Sequence, residues 1–179
     1  MTYAAVILAH PNLEKSRANR ILYQEIQQSQ QIKISHLYAQ YPNFAIDVPK
    51  EQALIQQAKI VVFQFPVYWY SSPALLKEWI DQVFTEGFAY GDKGVMLKDK
   101  PLFLAVTLAA EASFCSEKDE KGNPNLFALS HTLLPFESTA VYCGMNWAGS
   151  FAVFGAEALP LEDLRQKAKA YRQQIESFL

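Results

Sequence analysis

Residues 60–84 read IVVFQFPVYWYSSPALLKEWIDQVF, and the reading of the whole chain starts from them. The run at 60–65 is apolar without alternation, as expected of a strand covered on both faces, and Pro66 ends it. Residues 73–84 follow with helical spacing of Leu75, Leu76, Trp79, Ile80 and Val83, and Pro73 stands at the first turn, where its missing N–H costs nothing. Between strand and helix lie three consecutive aromatic residues, Tyr68, Trp69 and Tyr70. Aromatic side chains in a connection at the carboxyl end of a buried strand are hard to place in a core. They suit stacking around a planar ring. They equally suit an interface between two copies of the chain, and the two readings are compatible.

Working outward, the same strand-then-helix pattern repeats. Residues 3–9 (YAAVILA) form a second continuous apolar run, followed by helical character over 16–28 with Ile21, Leu22 and Ile26 in register. A short alternating strand is expected at 32–37, with Ile32, Ile34 and His36 on one face, and a short helix at 51–58 carrying Ala53, Leu54 and Ala58. Past the opening unit come a buried strand at 102–108, a polar loop at 116–125 and a helix at 126–134. Pro135 is expected to interrupt that helix before it resumes toward Cys143. A last strand is expected at 150–154 and a last helix at 161–178. Five βα units in 179 residues imply one domain over 1–179 and an α/β architecture, a parallel sheet with helices on both faces. The strand order that fits is 2-1-3-4-5. The six-stranded dinucleotide-binding alternative fails because GxGxxG does not follow the first strand; no glycine occurs before Gly87.

Composition excludes several classes. Half of the residues are hydrophobic and 19% charged, which describes a folded chain, and the net charge of −2 gives no basic surface to draw nucleic acid. The most apolar stretch, 60–70, is far short of the roughly 20 residues of a membrane span. No basic leader precedes the first strand, and Cys115 and Cys143 lack CxxC spacing, so a cytoplasmic protein with two reduced thiols is expected. Neither GxSxG, HExxH nor a Walker loop occurs, and three scattered histidines suggest no metal site.

In a sheet of order 2-1-3-4-5, ligands bind beyond the carboxyl ends of strands 1 and 3. Residues 10–19 (HPNLEKSRAN) carry Ser16, Arg17, Ala18 and Asn19 into a helix start, where unpaired amides, a hydroxyl and a cation suit a phosphate. The alternative for Ser16 is a simple helix cap, the commonest job of a serine at that place, and for His10 a strand-end residue bonded to backbone. Residues 107–111 end the fourth strand at the same crevice.

Together these segments resemble the flavodoxin-like NAD(P)H:quinone oxidoreductases. The resemblance is nearest to the small ancillary oxidoreductases of glutathione-regulated potassium efflux systems, and it runs along nearly the whole chain. Its carriers are AHPNLEKSRAN at 9–19, LYAQYPNFAIDV at 37–48, QFPVYWYSSPALLKEWIDQVFTEGFAYG at 64–91 and LPFESTAVYCGMNW at 134–147. It implies a flavodoxin-like three-layer sandwich that binds FMN, with FAD as the alternative of larger relatives. By resemblance, His10, Ser16, Arg17, Ala18 and Asn19 would hold the phosphate, and Val67, Tyr68, Trp69 and Tyr70 would line the ring. Thr107, Leu108, Ala109 and Ala110 would meet the ring's other polar edge. The implied reaction is a hydride from NAD(P)H to the flavin, then from the flavin to a quinone, with no catalytic side chain identified. The implied assembly is a homodimer. The alternative role is a regulatory subunit docking on a potassium efflux antiporter, peripheral at the inner face of the cell membrane. One departure stands out: where the family turn reads Thr-Thr-Gly-Gly, this chain has Thr107-Leu108-Ala109-Ala110. Glycines there tolerate positive φ and close approach, and alanines do so poorly.

Overall fold

Ala4–Leu8 (β1) and Ile60–Pro66 (β3) are buried at every residue, as continuous apolar runs require of strands covered on both faces. In the computed structural model, which describes residues 2–92 and 94–179, they form the centre of a five-stranded parallel sheet. The other strands are Ile32–His36 (β2), Pro101–Thr107 (β4) and Asn146–Val153 (β5), and the order is β2-β1-β3-β4-β5. The helices are Arg17–Ile26 (α1), Leu37–Gln40 (α2), Val48–Gln57 (α3), Ala74–Val83 (α4), Leu129–Tyr142 (α5) and Leu161–Glu176 (α6).

Strand periodicity divides the core into two layers. Val61, Phe63 and Phe65 face a layer built on Leu75, Trp79 and Phe136 from α4 and α5. Ile60 and Val62 face the opposite layer, with Leu22 and Ile26 of α1 and Leu164, Tyr171 and Ile175 of α6. All five expected apolar positions of α4 are buried.

Several boundaries differ from the sequence reading. α3 begins at Val48 rather than at 51, because the Asp47 carboxylate caps the Lys50 N–H at 3.1 Å and Pro49 occupies the first turn. Its inward residues are Glu51 and Ile55, while Ala53 is exposed. On β2, Ser35 rather than His36 is the fully buried residue. α5 runs without a break through Pro135. That proline lies on the solvent side, where water can satisfy the carbonyl it leaves unpaired, while Thr132, Leu133, Phe136 and Ala140 hold the inner face to the core. β5 begins at Asn146 rather than at 150. Gly149, at φ +80°, sits in the irregularity opposite Leu102–Leu104, so a bulge divides one strand whose second half alone reads as strand.

Candidate functional site

The carboxyl ends of β1, β3, β4 and β5 open into one cavity of about 530 Å³. Its first wall is the segment after β1. His10 is 8% exposed, and its Nδ1 accepts the Asn12 N–H at 3.1 Å, which leaves the proton of the neutral ring on Nε2. Burial, and then the neighbouring His36, lower the pKa of His10, so the ring stays neutral near pH 7. Asn12 starts a single 3₁₀ turn, and Ser16 then caps α1 through its Oγ, which accepts the Asn19 N–H at 3.2 Å. The amides of Arg17 and Ala18, in the first turn, have no carbonyl one turn back to bond. Arg17 is exposed, and its guanidinium reaches across the cavity mouth to the Glu157 carbonyl at 2.7 Å. Asn19 is 1% exposed, with its side chain turned to the Thr107 hydroxyl at 2.7 Å rather than to open space.

The second wall follows β3. Val67 donates its N–H to the Thr107 carbonyl, so the loop leaves the sheet tied to β4. Tyr68 and Ser71 then exchange backbone hydrogen bonds of 2.9 and 3.0 Å around Trp69 and Tyr70. Both central residues have positive φ, 47° and 60°, the combination of a type I′ turn, which normally takes Asn-Gly. Two bulky aromatic residues in the left-handed region store strain of order 1–3 kcal/mol each, and such strain concentrates at binding sites. Trp69 is 92% exposed, whereas Tyr70 stacks on Phe127, which stacks in turn on Phe114, with centroids 5.6 and 5.0 Å apart.

The third wall is the turn after β4. Its Leu108 N–H bonds the Val153 carbonyl, and the Leu108 and Ala110 carbonyls accept from Ala156 and Gly155. The turn is thereby held flat against the loop that follows β5. Positive φ among the described non-glycine residues falls at Phe44, Trp69, Tyr70 and Asp99. Ala109 and Ala110 are therefore unstrained, and the amides of both donate to no group among the described residues. The left-handed conformation sits instead at Gly155, φ +56°, where a Cβ would lie 2.7 Å from Glu111 Oε1. A second hollow of about 210 Å³ adjoins the cavity through Val67, Leu108 and Ala109, and Trp69, Tyr70, Ala110 and Phe127 line it further.

All thirteen residues singled out from sequence thus border these two joined hollows. Ala156 and Glu157 after β5, Phe114 just before the polar loop, and Phe127 and Thr132 beyond it border them too and are not among the residues the sequence singles out. The position of β5 beside β4 was the available signal for the first pair. The flanking aromatics of the charged loop were the signal for Phe114 and Phe127. No helix is long and apolar enough to cross a membrane, and no group of three or more His, Cys, Asp or Glu side chains suits a metal ion, among the described residues.

Residues 4–178 match the family described as having a flavodoxin-like fold. The chain belongs to the flavodoxin-like family. Among flavodoxin-like relatives, it is 44% identical over 164 residues, 92% of either chain, to a protein of Bacillus subtilis (strain 168) named uncharacterized NAD(P)H oxidoreductase YrkL. It is 39% identical over 172 residues to the glutathione-regulated potassium-efflux system ancillary protein KefG of Enterobacter sp. (strain 638), with 96% of this chain and 92% of that one covered. In three dimensions it is similar to general stress protein 14 of Treponema denticola, solved in complex with FMN. That likeness has a TM-score of 0.90 and 35% identity, over 99% of both chains. An NADPH-quinone reductase from P. pentosaceus superposes with a TM-score of 0.83 at 27% identity, over 97% of this chain and 98% of that one.

Proposed function

We propose that this flavodoxin-like protein is a flavin-dependent NAD(P)H oxidoreductase that reduces a quinone or similar electrophile through FMN. The observation that carries the reading is the pairing of a polar hollow at a helix N-terminus with an adjoining aromatic one. The donor chemistry fits the two ends of FMN. The first-turn amides of α1, the Arg17 guanidinium and the Nε2–H of His10 line the first hollow, and all are donors suited to a phosphate. Val67, Leu108, Trp69 and Tyr70 offer apolar and aromatic surface for the ring, and the free amides of Ala109 and Ala110 stand ready for its polar edge.

Bound there, the flavin would supply the hydride chemistry: NAD(P)H, a proton and the quinone in, and NAD(P)+ and hydroquinone out, with the two substrates taking turns in a ping-pong sequence. The chain's own part is to orient and to exclude water, and Tyr70, Phe127 and Phe114 wall the ring end. Trp69, Leu126, Val141 and Tyr142 are largely exposed, the kind of apolar surface a second copy covers in a homodimer.

The test is optical. Protein loaded with FMN should be yellow, bleach when NADH or NADPH is added without oxygen, and recover its colour with a quinone. A protein that binds neither FMN nor FAD sinks the reading. Likeness to KefG favours a second role as an ancillary subunit of a potassium efflux antiporter. A flavin-loaded protein that NAD(P)H fails to bleach would leave that role standing alone.

The Ala109-Ala110 turn makes a separate prediction. Because neither residue needs positive φ, the double variant Ala109→Gly/Ala110→Gly should change the FMN dissociation constant by less than about 3-fold. It should lower stability by roughly 0.5–1 kcal/mol per glycine, through the extra freedom of the unfolded chain. Fluorescence titration and thermal melts check both. A large gain in affinity would show that the alanines hold the turn away from its cofactor.

A further inference from the structure

A line of four buried polar side chains crosses the layer between the sheet and α1/α6. Tyr171 on α6 and Gln64 on β3 are both 0% exposed, Asn19 on α1 is 1% and Thr107 at the end of β4 is 5%. The Tyr171 hydroxyl donates to Gln64 Oε1 at 3.2 Å. Gln64 Nε2 donates to the Asn19 carbonyl at 3.2 Å and to Asn19 Oδ1 at 3.4 Å. Asn19 Nδ2 donates to Thr107 Oγ1 at 2.7 Å. Every bond runs in the same direction. Burial raises the pKa of the Tyr171 phenol far above its ordinary value, so the line always starts from a donor.

The direction matters at the far end. Thr107 Oγ1 has accepted a hydrogen bond and gives its own to no group among the described residues, and Thr107 borders the cavity. Gln64 accepts at one end and donates at the other, which fixes which way its amide points. That orientation in turn directs the Asn19 amide and leaves the Thr107 hydrogen free. The line also joins the first turn of α1 to the ends of β3 and β4, two walls of the site.

We propose that Gln64 and Tyr171, which do not touch the cavity, are positioning residues that deliver the Thr107 hydroxyl as a hydrogen-bond donor to the bound flavin and hold the start of α1 in register with it. The inference rests on reading the cavity as a flavin site. Buried polar groups in the middle of an apolar layer are costly unless bonded, and a one-way line bonds each of them to the next while leaving one donor over, at the cavity.

A double-mutant cycle tests it, with FMN binding read by fluorescence quenching and folding read by thermal melts. Gln64→Leu and Thr107→Val should each weaken FMN binding about ten-fold, the equilibrium worth of one hydrogen bond. Together they should weaken it little further, because both remove the same delivered donor. Tyr171→Phe, which removes one hydroxyl, should weaken binding in the same cycle by less, and it serves if Gln64→Leu fails to fold. Glu51→Gln supplies the structural control: Glu51 is buried on the opposite face of the sheet, so it should lower the melting temperature and leave FMN affinity within two-fold. Additive losses approaching 100-fold, unchanged binding in the Gln64 or Tyr171 variant, or an equal loss in Glu51→Gln would overturn the relay. If the unmutated protein binds no FMN, the flavin reading falls and the relay's purpose falls with it.

Discussion

Glu51→Ala is expected to lower the stability of the folded protein by about 3–5 kcal/mol, the scale of stranding buried hydrogen-bond donors and opening a cavity next to them. At this chain length that corresponds to a fall of roughly 6–20 °C in melting temperature. Glu51 has no exposed surface, and three donors from three other parts of the chain converge on it. Ser35 Oγ of β2 and the Tyr41 hydroxyl, just beyond α2, donate to Oε1 at 2.9 and 2.8 Å. Trp79 Nε1 of α4 donates to Oε2 at 2.9 Å. Alanine would leave the Tyr41 and Trp79 donors buried without acceptors, leave Ser35 only Gln40 Oε1 at 3.4 Å, and open a cavity beside Trp79, and all of these effects point the same way. Burial, followed by the bond and the charge from Glu51, pushes the Tyr41 pKa well up, so this phenol remains a donor throughout the neutral range. Glu51→Gln should cost less, since it keeps one acceptor oxygen but turns an N–H toward a donor. Thermal and urea melts check the series. A loss under about 1 kcal/mol for alanine would mean that water or a rearranged side chain satisfies the three donors.

Arg17→Glu is expected to weaken FMN binding by about 100-fold while leaving riboflavin binding within about 3-fold. Arg17 occupies the first position of α1, at the positive end of the helix, and its guanidinium is held over the cavity by the Glu157 carbonyl. Exchange for a carboxylate removes a charge-assisted donor and sets a like charge against the phosphate. A hundred-fold change is about 2.7 kcal/mol. Riboflavin lacks the phosphate and is indifferent to the exchange. Stability should change by less than about 0.5 kcal/mol, because a first-turn glutamate suits the helix dipole and the site is exposed. Raising the salt concentration should narrow the difference between variant and parent. Parallel titrations with FMN and riboflavin decide the matter; equal losses for both ligands would place the phosphate elsewhere.

The segments that bear on function differ in how openly the residues announce them. Tyr68 to Tyr70 stand out because aromatic side chains in a connection need a reason. Their positive φ angles do not stand out, since nothing local favours a type I′ turn there; the Tyr68–Ser71 pairing imposes it. The alanines at 109 and 110 look like a defect when judged by the need for glycine. In the folded chain the need has moved to Gly155, whose left-handed backbone lets the loop after β5 pass beside Glu111. Gln64 carries a signal that only burial interprets. A lone amide inside the apolar run IVVFQF must find partners, but nothing nearby in sequence says that these are Tyr171 and Asn19.

What the sequence by itself determined is the series of elements and the end of the sheet where the cavity opens. Continuous apolar runs, the i, i+3, i+4 stripe of α4, Pro73 and the absent glycine fingerprint are local signals, set by backbone geometry and burial within one element. The tertiary structure alone decided what crosses between elements: the relay from α6 to β4, the convergence on Glu51, the Arg17–Glu157 contact and the wall contributed after β5. Those contacts join residues from 10 to 140 positions apart. A side chain's partner at such a distance follows from strand order and helix packing, and those are settled by the burial of the whole chain.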